Sequence, residues 1–313
     1  LLVAQELGDT SLRTQLMERI GTGRLVEGHF DTAHFAYLYV LEQAHDCANT
    51  ELELAAHTGL IWLQTISKVK PPIYNDAIIE NALVLARGVR DSSAVARLHH
   101  ALAAVYIQQH CTEKALQYGQ MAYAHWYTTR NKVEQAKAAY SLASVYRLMN
   151  RYALADAYLA IAEDVFSRTN YRRQYVLTIY ERGILRWKHA RYEEARQWLE
   201  LALQEALTLG INYLIAATSR ALGNVYLKMG KRDKARELLK SAALIWDELN
   251  NVYEQASVCC TFIGMERQSG NLQAAREWSI RAWQLCKLIT PDSLRQEMEN
   301  YIREAESNDA RAC

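Results

Sequence analysis

The sequence has few chain breakers. Only 3 prolines and 13 glycines occur in 313 residues, while Ala, Leu, Glu, Lys, Arg and Gln are abundant; this is a helical composition. No apolar run approaches the ~18 residues that a membrane-spanning helix needs, so no membrane partner is expected. Neither charge sign dominates: 36 Lys and Arg stand against 35 Asp and Glu, and the net charge of +1 gives no bulk attraction to nucleic acid or acidic lipid. The cysteines Cys47, Cys111, Cys259, Cys260, Cys286 and Cys313 form no C-x-x-C pair, and adjacent Cys259 and Cys260 cannot clasp a zinc ion in the usual spacing. They read as reduced, mostly buried thiols of a cytoplasmic protein. The opening Leu1-Leu2-Val3-Ala4-Gln5-Glu6 shows neither a basic start nor a cleavage site.

What is present is a grid of alanines. Ala115, Ala155, Ala195, Ala235 and Ala275 are spaced 40 residues apart, and Ala122, Ala162, Ala202, Ala242 and Ala282 follow each of them by seven. Alanine makes up about one residue in seven, so ten hits on one register reflect a repeat rather than composition. Residues 212–251 show the unit. Tyr213, Leu214, Ala217, Ala221, Leu222, Val225, Tyr226 and Met229 are spaced by 3 and 4 and form one helical stripe. Gly230 suits a left-handed turn. Ala235, Leu238, Leu239, Ala242 and either Ile245 or Trp246 form a second stripe, which Asn250-Asn251 ends. The unit is an antiparallel helix pair with a short loop.

With Gly223 as a marker, the equivalents at 40-residue steps are Ala103, Ala143, Gly183 and Ile263. Marker plus three gives Tyr106, Tyr146 and Tyr226, with Arg186 and Glu266 as exceptions, and marker plus seven gives the turn residues His110, Asn150, Ala190, Gly230 and Gly270. Two looser units lie upstream: Gly21, Gly28 and Ala33 mark one, and Leu63 marks another whose loop holds Lys70-Pro71-Pro72. The expected fold is all-α, a right-handed α-solenoid of about seven antiparallel helix pairs with a C-terminal capping helix. A single solenoid domain spans 1–313, with repeats at about 9–49, 50–91, 92–131, 132–171, 172–211, 212–251 and 252–290, and with a capping helix and tail at 291–313. The cap is expected from about 293 to 306, with Leu294, Met298, Ile302 and Ala305 as its buried stripe. Gly8 precedes Gly21 by the same thirteen residues that separate Gly210 from Gly223, so residues 1–8 read as the remnant second helix of an earlier repeat in a longer protein. The alanines are expected at helix crossings, because axes approach to ~8 Å only over small side chains. The first alanine of each pair should face its own unit's first helix, and the second should face the next unit's.

Catalytic signals are lacking. No Gly-x-x-x-x-Gly-Lys-Ser/Thr loop occurs. Gly21-Thr22-Gly23 and Gly28 have the wrong spacing for a dinucleotide loop, and the repeat accounts for them. His99 and His100 lie on neighbouring helix faces without the i, i+4 spacing that lets two histidines share a metal. Glu193 and Glu194 sit in the first turn of a second helix, where they complement its dipole. No enzyme activity, cofactor or metal is expected.

The order and spacing of Leu222-Gly223, Tyr226, Gly230, Ala235, Leu239 and Ala242 resemble the tetratricopeptide repeat, and the resemblance covers essentially the whole chain. The period is 40, against 34 for the common form, so the helices are about one turn longer. The family's early Trp is replaced by His99, Ala139, Ile179, Ser219 and Cys259. Long-period arrays of this kind resemble the C-terminal sensor arrays of bacterial STAND signalling ATPases and large transcription activators, and similar arrays occur in peptide-sensing regulators and kinesin light chains.

The resemblance implies that the first helices line a concave groove. Carried onto this sequence, its positions include Arg97, His100, Lys137, Tyr140, Arg147, Tyr180, Trp187, Lys188, Arg220, Asn224, Lys228 and Arg267, with seven fixed cations and no acid. Such a groove suits an anionic or extended protein or peptide ligand: cations take carboxylates and aromatics supply contact area. Arg220 and Asn224, at i and i+4, resemble half of a carboxylate clamp. The competing reading is that the long cations cover groove walls and pair with nearby acids such as Glu181 or Asp247. The function expected is a non-catalytic binding module, the sensor or autoinhibitory part of a larger bacterial signalling protein, whose partners include other domains of the parent chain. A single-stranded nucleic-acid groove and a self-assembling scaffold are the alternatives. The near-zero net charge weighs against nucleic acid.

Overall fold

The computed structural model describes residues 10–27, 29–66, 76–290 and 292–307. The opening residues 1–8 and the positions Gly28, Lys70-Pro71-Pro72, Pro291 and Cys313 lie outside them. The described residues form fifteen α-helices and no strand. They fall into two compact units, Leu1–Val165 and Phe166–Cys313. The first unit holds α1 (Thr10–Glu27), α2 (Phe30–Asp46), α3 (Thr50–Ile66), α4 (Asp76–Gly88), α5 (Ser92–Gln108), α6 (Thr112–Thr128), α7 (Lys132–Leu148) and nearly all of α8 (Tyr152–Ser167). The second holds α9 (Arg172–Lys188), α10 (Tyr192–Leu209), α11 (Asn212–Lys228), α12 (Arg232–Glu248), α13 (Val252–Gln268), α14 (Leu272–Cys286) and α15 (Asp292–Glu306). Consecutive helices pack in pairs, α5 with α6 and α11 with α12 for example, and within each unit one pair packs on the next.

The ten grid alanines are all buried, at 4% exposure for Ala275 and none for the others. Their surroundings follow the expected division. Ala235 lies with Leu222, Val225 and Tyr226 of its own unit's first helix. Ala242 lies with Val258, Phe262 and Met265 of the following first helix. Large side chains close the remaining space: a Cβ added to Gly223 would stand 2.9 Å from Leu239 Cγ. In α1–α3 the small and large roles are exchanged. The Tyr37 ring of α2 is buried against Gly21 of α1 and Gly59 of α3, at both of which a Cβ would run into it. Its hydroxyl lies 3.2 Å from Thr22 Oγ1, and burial pushes its pKa up to about 12.

The turns repeat as strictly as the alanines. His110, Asn150, Ala190, Gly230 and Gly270 all have positive φ, between 55° and 75°. At each, the following N–H reaches back five residues to a carbonyl: Cys111 to Tyr106, Arg151 to Tyr146, Arg191 to Arg186, Lys231 to Tyr226 and Asn271 to Glu266, all at 2.8–2.9 Å. This is the Schellman closure, which satisfies helix-end carbonyls and is easiest with glycine at the left-handed position. Three of the five positions adopt it without glycine. Several first helices are capped by a side chain: Asp91, Asn131 and Asn251 accept from the N–H groups of Ser93, Glu134 and Glu254 at 2.8, 3.2 and 3.2 Å.

The cap α15 packs on α13 and α14. Met298 and Ile302 are fully buried and Ala305 nearly so, beside Ala256, Cys260 and Ala282. Leu294, expected in that stripe, stays exposed in the first turn of the helix. Polar contacts fasten the rest: Trp283 Nε1 donates to Glu306 Oε1 at 3.0 Å, and the Tyr253 hydroxyl donates to Glu297 Oε1 at 3.1 Å. Of the expected alternatives in α12, Trp246 is the buried residue. Cys259, Cys260 and Cys286 are buried free thiols, whereas Cys47 and Cys111 are exposed.

Candidate ligand-binding faces

In the first unit, α5 carries Arg97 and His100, and α7 carries Lys137, Tyr140 and Arg147. His100 does not line an open wall. It is buried, its Nε2 lies 2.9 Å from Ser141 Oγ of α7, and Trp62 of α3 meets it edge-on with ring centroids 5.0 Å apart. Burial drives its pKa down to about 4, so the ring is neutral at pH 7 and acts as a packed polar spacer between successive first helices. Arg97 pairs with Asp91 at 3.4 Å, and Lys137 pairs with Glu134 at 2.7 Å. Both acids belong to the start of the same helix as their partner. Tyr140 and Arg147 are half-buried.

In the second unit, α9 carries Tyr180, Trp187 and Lys188, α11 carries Arg220, Asn224 and Lys228, and α13 carries Arg267. Tyr180, Ile184 and Trp187 rest against the core of Leu199, Leu222 and Tyr226, and Leu227 of α11 joins them. Lys188 Nζ sits 5.0 Å from the Trp187 ring centroid. Arg220 lies 3.3 Å from Glu254 Oε2 of α13. Burial opposes its charge, but Glu254 and the neighbouring Tyr180, Tyr301 and Tyr253 outweigh that and hold it charged. Asn224 and Arg267 are half-buried, while Lys188 and Lys228 are exposed.

The position three before the marker therefore points toward the next first helix rather than into open space: His100 meets Ser141, Arg220 meets Glu254, and Cys260 is fully buried with the cap. The carboxylates missing from the expected face are supplied by Asp91, Glu134 and Glu254, at the N-cap or in the first turn of a first helix. Their type and place are legible as dipole-complementing acids, and within two turns of helix Asp91 and Glu134 come beside the cations on their own helices. Asp247, considered as another partner, pairs instead with Arg281 at 3.1 Å. Among the described residues, no helix is long and apolar enough to cross a membrane, and no group of three or more His, Cys, Asp or Glu side chains is placed to hold a metal ion.

A tetratricopeptide repeat family profile matches residues 175–248, which span α9 to α12. No curated protein sequence matches the chain. Among solved structures, a Rap protein complexed with competence and sporulation factor is similar at 16% identity and a TM-score of 0.73, over 94% of this chain and 80% of that one. The signal transduction ATPase with numerous domains from Pyrococcus horikoshii, which carries a tetratricopeptide repeat sensor, is similar at 14% identity and a TM-score of 0.71. The match covers 97% of this chain and 45% of the ATPase. Aspartyl phosphate phosphatase F from Bacillus subtilis is similar at 12% identity and a TM-score of 0.61, over 96% of this chain and 80% of that one. The stacked helix pairs, the buried alanines and the profile match agree: the chain carries tetratricopeptide repeats at 175–248 and has a tetratricopeptide-like helical repeat fold, a scaffold class that presents binding surfaces.

Proposed function

We propose that the chain is a non-catalytic binding module whose second unit takes an extended, anionic peptide or protein segment along α9, α11 and α13. One observation carries this reading. Among the described residues, Lys188 and Lys228 are exposed without an intrachain ion pair, whereas Arg97, Lys137 and Arg220 are already neutralised by Asp91, Glu134 and Glu254. Lys188 stands over the half-buried Trp187, with Tyr180 and Ile184 on the same helix, so charge and aromatic area are offered together. Asn224 and Arg267 add hydrogen-bonding groups on α11 and α13. The likeness to a Rap protein in complex with a factor supports a binding role, and the likeness to a STAND protein's sensor supports a place inside a larger signalling protein. There, occupancy of the face would relieve autoinhibition of a distant domain.

The test uses a fluorescein-labelled octapeptide of alternating Glu and Leu, followed by anisotropy. Lys188→Glu with Lys228→Glu should weaken binding by at least tenfold with an unchanged melting temperature. Unchanged affinity in the double variant overturns the reading. Tighter binding of oligouridylate than of peptide, with a steep salt slope, would replace it by the nucleic-acid alternative.

A further inference from the structure

His99 adjoins His100 in sequence but serves a different place. It is half-buried, tilts against Tyr118 with centroids 5.6 Å apart, and helps line a cavity of about 400 Å³ in the first unit. Val95, Ala96 and Met121 supply apolar wall, His99 and His125 supply two imidazoles, and Arg90 stands at the rim. That volume lies within the range of small-ligand pockets, roughly 300–1,000 Å³. Met121 is 45% exposed there. His125 is held from two sides: its Nε2 lies 3.2 Å from Ser93 Oγ, and its ring meets Trp126 edge-on at 4.6 Å. Arg90 is exposed and makes no ion pair among the described residues.

One later repeat fills the equivalent corner. Two units further on, 80 residues along, Arg172, Tyr175 and Glu205 occupy the positions of Ser92, Val95 and His125. There Arg172 pairs with Glu205 and lies over the Tyr175 ring, so the unit's own side chains span that corner. Serine and valine are too short to do so in the third repeat. Burial, and then His125, lower the His99 pKa, so its imidazole is neutral at pH 7 and offers a hydrogen bond rather than a charge.

We propose that this corner is a binding site for a small amphipathic carboxylate, with its apolar body against Val95, Ala96 and Met121 and its carboxylate on the Arg90 guanidinium. The guanidinium fork matches a carboxylate in bidentate fashion, and an imidazole N–H completes the polar end. The site is separate from the lysine-bearing face of the second unit.

Octanoate is the probe, titrated into the full chain with histidine ring resonances observed by NMR. The His99 and His125 signals should shift saturably, and 1-octanol should bind at least tenfold more weakly. Arg90→Gln should weaken octanoate at least tenfold, and Met121→Trp, which fills the cavity, should abolish binding. Both changes lie at exposed positions, and thermal melting checks that each variant folds. The Lys188→Glu, Lys228→Glu double variant should bind octanoate normally, which separates failure of this site from failure of the peptide face. Absence of saturable shifts, or equal octanoate affinity in Arg90→Gln and the parent, overturns the assignment.

Discussion

The two units build one lattice from different chemistry. Eight of the nine histidines lie in the first unit, and only His189 lies in the second. In the third and fourth repeats, both in the first unit, the slot three past the marker is aromatic: Tyr106 stacks on Tyr118 at 5.7 Å, and Tyr146 on Tyr158 at 5.4 Å. In the second unit the same slot is ionic or charge-linked. Arg186 faces Glu194 at 3.4 Å, the Tyr226 hydroxyl donates to Glu200 at 2.5 Å, and Glu266, 2% exposed, meets Arg236 at 2.7 Å. The repeat thus demands that the slot be filled, and it leaves the means open. Stability shared by the third to seventh repeats belongs to the alanines and turns, and sensitivity to conditions belongs to what lies between them.

Acid should separate the units most sharply. His57, His99 and His100 are held neutral by burial in the first unit. A base whose folded pKa is lowered lets the unfolded chain take up the proton first. Stability is therefore lost as pH falls from about 6.5, and the loss from His100 levels off near its folded value of about 4. For His100 alone that amounts to about 3 kcal/mol. Hydrogen exchange, corrected for intrinsic rates, should show first-unit amides losing protection between pH 6.5 and 4 while second-unit amides hold theirs. Equal loss in both units would break the comparison.

The alanines should show the opposite, a matched response. Ala115→Leu in the first unit and Ala235→Leu in the second should each overpack a helix crossing and cost about 2 kcal/mol. The exposed Ala124→Leu should change the melting temperature little. A large disparity between the two buried sites would mean that the crossings are not equivalent.

The smallest effect concerns the turns. Ala190 holds a φ of 55° that glycine adopts freely. Ala190→Gly should therefore raise stability by about 0.5–1 kcal/mol, and Gly230→Ala should lower it by a similar amount. Paired denaturant titrations would read both, and a loss for Ala190→Gly would show that the turn is not limited by its backbone.

The fold was legible because its determinants are periodic. From the third repeat on, buried alanines at the crossings and a left-handed residue at the turn inside each pair leave marks at fixed intervals, and these place α5 to α14 in phase. The proposed binding face was less legible. A first helix touches its own partner and both neighbouring first helices, so each face is about one residue wide, and 100° per residue leaves little room for error. His100 fell on the flank that meets Ser141 and Trp62 because residue type alone does not say which neighbour a polar group will find. Glu134 and Glu254 were invisible as groove partners because their benefit to the helix dipole explains them already. Nothing in an unbroken register announces the division near residue 165, since both units obey it equally.

The left-handed turn has a consequence for how such a chain changes over time. Each such turn closes its helix with backbone atoms from within its own repeat, through bonds that span no more than five residues. A 40-residue segment can then be duplicated or lost by recombination without leaving an open helix end or shifting the phase of the downstream repeats. The number of repeats becomes a quantity that can be altered in whole steps.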